Sequence, residues 1–110
     1  METALKTDTA KRIKKEIETH VRGYSNFFVV YSNWYIGITN NVSKRKTQHK
    51  TANKGDLYFW VDYNARSRRI AEAIELYFHK KGMLETEKVG GAKEDSKYIY
   101  VYKKHPTIVD

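Results

Sequence analysis

The stretch NWYIGITNNVSKRKTQHK, residues 33–50, decides how the rest of the chain is read. Residues 34–39 are aromatic and β-branched around one glycine, which predicts a strand. Thr39, Asn40 and Asn41 then offer side-chain oxygens to backbone N–H groups, so a helix over about residues 42–50 is expected to begin there. On that helix Val42, Arg45 and His49 share a face, because positions three and four apart stack. A guanidinium and an imidazole on one side can both reach one phosphate. The plain alternative is a solvated basic face.

Upstream, residues 27–31 are again aromatic and β-branched, and Ser32-Asn33 is a polar break, so a tight hairpin is expected. A two-residue turn sets Tyr31 opposite Trp34, Val30 opposite Tyr35, Val29 opposite Ile36 and Phe28 opposite Gly37. Gly37 projects no side chain, so a helix or ligand can approach the Tyr35 hydroxyl. Before the hairpin, Ala10, Ile13, Ile17 and Val21 recur at helical spacing over residues 8–21, with Gly23 as the stop. Downstream, residues 57–63 alternate as a strand, with Leu57, Phe59, Val61 and Tyr63 on one face and Tyr58, Trp60 and Asp62 on the other. Asn64 is expected to cap a helix over residues 65–81 that carries Ile70, Ala71, Ile74, Tyr77 and Phe78 in a stripe. Gly82 stands where a left-handed residue ends it. Residues 98–102 alternate tyrosine with Ile99 and Val101 as a last strand.

These elements predict one α/β domain of the α+β type: a small antiparallel sheet of three to four strands flanked by helices. Residues 1–26 form an N-terminal amphipathic helix and linker packed on the domain, residues 27–104 the domain itself, and residues 105–110 a tail. At 110 residues the chain has room for a single core. Its longest apolar run, residues 27–31, is far short of the roughly 20 residues of a membrane span, and no leader-like segment opens it. With no cysteine, neither a disulfide framework nor a thiolate metal site is available, which suits a cytoplasmic protein. Lys plus Arg number 21 against 13 Asp plus Glu, a formal charge of +8, which favours a polyanionic partner, nucleic acid first.

Tyr35-Ile36-Gly37, then Thr39-Asn40, then Arg45 and His49, resembles the second half of the signature of GIY-YIG nucleases. Downstream, residues 71–78, AEAIELYF, resemble the family's later helix, whose glutamate binds metal; Glu75 is the better match and Glu72 the reserve. The similarity spans about residues 27–102, and the end of the chain is similar to small bacterial and phage-borne members. Family members carry a first motif, Gly-Ile-Tyr, on the strand paired with Tyr-Ile-Gly, and its tyrosine is implied to help activate the attacking water. In the hairpin register above, Phe28 takes that tyrosine's place, and phenylalanine has no ionisable oxygen. Tyr35 or His49 is then left to activate water, with Tyr31 and Tyr24 as further candidates; His49 titrates closest to neutrality.

The resemblance implies a metal-dependent endonuclease that hydrolyses or nicks DNA, with RNA also possible. Tyr35, Arg45, His49 and Glu75 are its catalytic residues, and one Mg²⁺ or Mn²⁺ ion sits on Glu75. A carboxylate with water and phosphate oxygens suits a hard ion, and Arg45 can fork onto a phosphate as no lysine can. Lys44, Lys46, Arg66, Arg68 and Arg69, with Lys103 and Lys104, are expected to contact the phosphate backbone. Trp60, Tyr58 and Tyr100 offer stacking faces for an unpaired base. A partner protein would supply targeting. Two rivals stand beside this reading: a catalytically silent nucleic-acid-binding module of the same fold, and a protein-interaction domain that uses the tyrosine strand 98–102 as an exposed surface.

Overall fold

The computed structural model describes residues 2–25, 28–52, 57–85 and 95–103. Its elements in chain order are α1 (Glu2–Leu5), α2 (Asp8–Gly23), β1 (Trp34–Thr39), α3 (Val42–Ala52), β2 (Tyr58–Asn64), α4 (Arg68–Lys80), β3 (Leu84–Glu85) and β4 (Tyr98–Lys103). The sheet order is β2-β4-β1-β3. β4 is antiparallel to both β1 and β2, while the two-residue β3 runs parallel to β1. This is the expected α+β fold, an antiparallel three-stranded sheet with helices against it and a short fourth strand at one edge.

The hairpin is not formed. Tyr31–Asn33 is a 3₁₀ turn, closed by the Asn33 N–H on the Val30 carbonyl at 3.1 Å, and Phe28 is 75% exposed. Residues 26 and 27 lie outside the described residues. The reason is competition for the two edges of β1. Along one edge β4 pairs at all six positions, from Trp34↔Lys103 to Thr39↔Tyr98. On the other, β3 pairs Tyr35↔Leu84 and Ile36↔Glu85. Strand propensity in the preceding run yields to this tertiary pairing. Consequently Tyr100 stands opposite Gly37, and Phe28 does not. β4 is also central and almost wholly buried, so residues 98–102 are not the exposed surface that the interaction-domain reading needed.

One face of the sheet carries the core. Trp34, Ile36 and Ile38 of β1 and Ile99 and Val101 of β4 meet Ile13, Ile17 and Val21 of α2 and Ala71, Ile74 and Phe78 of α4. The expected helical stripes are therefore the buried ones, and α2 belongs to the same core as the sheet. Thr7 caps α2 by accepting the Ala10 N–H at 3.1 Å. Ser67, and not Asn64, caps α4 by accepting the Ile70 N–H at 3.2 Å. Asn64 instead accepts the Arg66 N–H at 2.8 Å in the preceding turn, where Arg66 has φ +69°. Gly82, at φ +116°, ends the α4 segment in the left-handed conformation expected of it. Among the described residues no helix is long and apolar enough to cross a membrane.

Candidate active site

The opposite face of the sheet is lined by rings. Alternation along β1 turns Tyr35, Gly37 and Thr39 away from the core, and the β4 register places Tyr102, Tyr100 and Tyr98 beside them. On β2, Trp60 and Asp62 point the same way. α3 lies over this face. Its start follows the local chemistry expected from the sequence: Asn41 Oδ1 accepts the Lys44 N–H at 3.0 Å, and Thr39 Oγ1 accepts the Asn41 N–H at 3.1 Å. This cap sets the helix phase that turns Arg45 and His49 down onto the rings, where both are buried.

His49 is fully buried between two phenols. Its Nε2 is 2.9 Å from the Tyr100 hydroxyl and its Nδ1 is 3.3 Å from the Tyr102 hydroxyl. Arg45 donates through Nη1 to the Ile38 carbonyl at 3.3 Å and to the Tyr100 hydroxyl at 3.4 Å, and through Nε to Gln48 at 3.1 Å. Tyr35 stacks on Tyr102 with ring centroids 5.1 Å apart. Burial, and then the Arg45 charge, lower the His49 pKa to about 4, so the ring is neutral at pH 7. A neutral imidazole has one donor and one acceptor nitrogen. Arg45 can only donate to the Tyr100 oxygen. One of the two tautomers consistent with that has Tyr100 donating to Nε2 and Nδ1–H donating to Tyr102; the other has Nε2–H donating to Tyr100, whose oxygen can accept twice.

Three of the expected residues, Tyr35, Arg45 and His49, thus meet around Tyr100 and Tyr102. Glu75 does not join them. α4 covers the core face of the sheet through Ala71, Ile74 and Phe78, whereas Arg45 and His49 cover the ring face. Tyr77 of α4 turns toward α2, with Lys14 Nζ 4.1 Å from its ring centroid, so Glu72, Glu75 and His79 occupy the flank away from α2. The Glu75 carboxylate lies 3.9 Å from His79 Nε2, and Glu72 is ion-paired with Arg68. By donor chemistry a part-exposed carboxylate suits a hard ion, but by position Glu75 does not share the Arg45 face. Among the described residues no three His, Cys, Asp or Glu side chains gather as a metal site.

Tyr31 packs against Phe78 on the core side, where burial and Glu18 raise its pKa, and Tyr24 stacks on Phe59 near the end of α2. Neither reaches the Arg45 face. Lys103 is not a surface phosphate contact: it is buried beneath the end of α2, with Nζ donating to the Tyr24 carbonyl at 2.6 Å and lying 5.6 Å from the Trp34 ring centroid. Lys104 lies outside the described residues. Lys44, Lys46, Arg66 and Arg69 are exposed, and Arg68 is held by Glu72. Tyr100, offered as a stacking face, is fully buried.

Tyr100 and Tyr102 are the site residues that sequence reasoning missed. A signal for them existed: tyrosines at alternate positions of one strand give that strand a face tipped with hydroxyls, and a buried hydroxyl needs a hydrogen-bond partner. The chain matches no family model, no curated protein and no solved structure.

Proposed function

We propose that the chain is an endonuclease of the GIY-YIG type acting on DNA, with Tyr100 in the role assigned above to a first-motif tyrosine. The observation that carries this reading is the position of the Tyr100 hydroxyl. It sits opposite Gly37, on the strand antiparallel to Tyr-Ile-Gly, 2.9 Å from a neutral His49 nitrogen and beside the Arg45 guanidinium. The tyrosine that the upstream segment lacks at Phe28 would then come from β4.

This mechanism requires one water to reach the buried Tyr100 hydroxyl; that water gives a proton to the Tyr100 oxygen as the Tyr100 proton passes to His49 Nε2. The hydroxide adds to phosphorus, the P–O bond to the leaving oxygen breaks, and that oxygen takes a proton from solvent. His49 holds that proton only in passing, because burial and Arg45 disfavour its charged form, and releases it to solvent. Arg45 lowers the cost of negative charge on the Tyr100 oxygen and on the phosphate. Ile38 and Gln48 hold its guanidinium plane in place for that task. The exposed Lys44 and Lys46 would contact flanking phosphates, which makes binding steeply salt-dependent.

The Mg²⁺ or Mn²⁺ ion that the resemblance implies on Glu75 does not fit this site, because α4 covers the core face of the sheet and a metal held there would not reach a phosphate at Arg45. The place of α4 across the sheet from Arg45 favours a second reading, a nucleic-acid-binding module without hydrolysis. Incubation with supercoiled plasmid and Mg²⁺ separates the two. Nicking that disappears with Tyr100→Phe supports the enzyme, and its loss with EDTA but not with Glu75→Ala would place any metal away from Glu75. Retarded but intact plasmid supports the binder, and absence of any nucleic-acid binding rejects both.

A further inference from the structure

The ring face ends at the β2 edge of the sheet. β2 is the outer strand of the sheet, and Trp60 stands on it, half-buried. The inner side of the indole is backed by Tyr100, centroids 4.8 Å apart and planes 5° from parallel, and by Tyr102 at 5.7 Å and 12°. Its N–H donates to Asp62 Oδ2 at 2.8 Å, which fixes the ring's rotation. Lys46 Nζ from α3 lies 5.6 Å from its centroid.

The backbone beneath Trp60 is held as firmly. Tyr58 opposes Lys103 while Val61 opposes Val101, so Phe59 and Trp60 share the place opposite Tyr102 in a β-bulge. Phe59 has φ +55°, a conformation that a bulky side chain rarely adopts. From the core side, His20 Nε2–H donates to the Phe59 carbonyl at 2.7 Å and Tyr24 stacks on the Phe59 ring at 4.3 Å. The Phe59–Trp60 peptide is thereby pinned. Such strain persists only where its surroundings over-determine it, and bulges recur beside functional sites.

We infer that Trp60 is a stacking platform for an unpaired nucleobase, so that the strand bound along α3 is single-stranded where it crosses the β2 edge. A pre-oriented indole loses little freedom when a second ring lands on it, and every base presents a π face. Lys46, whose Nζ lies over the ring and would swing aside onto the adjoining phosphate as a base lands, and Lys44 and Lys50, all exposed on α3, would meet the backbone. A base inside a duplex is covered on both faces by its neighbours and cannot stack there. The buried Tyr100 and Tyr102 serve as backing and are not platforms themselves. This inference rests on the nucleic-acid reading above but not on hydrolysis.

The two tryptophans make the test direct, because Trp34 is fully buried and Trp60 is not. A short thymidine oligonucleotide is expected to quench the emission of the wild-type protein and to shield it from iodide, whereas a blunt duplex binds with little quenching. Trp60→Leu should abolish the quenching and weaken the oligonucleotide about tenfold, with duplex affinity unchanged and Trp60→Tyr restoring much of the loss. Equal quenching by duplex and oligonucleotide overturns the inference, as does unchanged oligonucleotide affinity in Trp60→Leu. If Trp60→Leu fails to fold, the wild-type comparison of the two ligands decides alone. Binding without Trp60 quenching refutes the platform and leaves the nucleic-acid reading standing. Absence of binding to either ligand refutes both.

Discussion

Acidification is expected to weaken the fold through one residue. His49 titrates near 6.5 in the unfolded chain and at about 4 in the fold, because burial and then Arg45 disfavour its charged form. Between these two values the unfolded chain binds a proton that the folded chain does not, so stability falls as the pH drops. The slope is about 1.4 kcal/mol per pH unit, which makes the loss from His49 about 2 kcal/mol between pH 7 and pH 5. The full effect, about 3 kcal/mol, is reached only below the folded value. Urea unfolding of the wild type and of His49→Gln at both pH values isolates this part, since the amide keeps a donor and an acceptor but does not titrate. The wild type should lose about 2 kcal/mol more than the variant over that interval. Proton NMR of the His49 ring should place its midpoint near 4 in the folded protein. Equal losses in the two proteins, or a ring midpoint near the ordinary value, would refute the placement of His49 between the two phenols.

Tyr100→Phe leaves a buried imidazole nitrogen and one Arg45 N–H contact without their hydroxyl, and should cost about 1 to 3 kcal/mol in chemical denaturation. Phe28→Tyr, at an exposed position, should change stability by no more than about 0.5 kcal/mol and leave plasmid nicking as it was; a gain in nicking would return Phe28 to the site. Ile74→Ala empties a fully buried position between α4 and the sheet and is expected to destabilise by about 2 to 5 kcal/mol, read as a lower urea midpoint. Ser67→Ala removes the α4 cap at a cost of about 1 kcal/mol.

Much of the fold is written locally. The stripes of α2 and α4 follow from a helical period that needs no knowledge of the partner surface, and the Asn41 start of α3 follows from a side-chain oxygen three residues from the N–H it satisfies. The strands around residues 34–39, 58–64 and 98–103 were legible for the same reason, as short β-branched and aromatic runs. Arg45 and His49 were placed together because one helix face joins them. What stayed hidden was pairing. Residues 27–31 have the composition of a strand, but both edges of β1 are occupied, one by β4 and the other by β3. Composition registers propensity, and occupancy of an edge is decided by the whole sheet burying its two faces. The contact between His49 and Tyr100 spans 51 positions and exists only because β4 inserts between β1 and β2. Glu75 shows the same limit from the other side. Helical phase tells which flank of α4 carries it, but which face of the sheet α4 covers is settled by where Ile74 and Phe78 find apolar partners, and they find them across the sheet from Arg45.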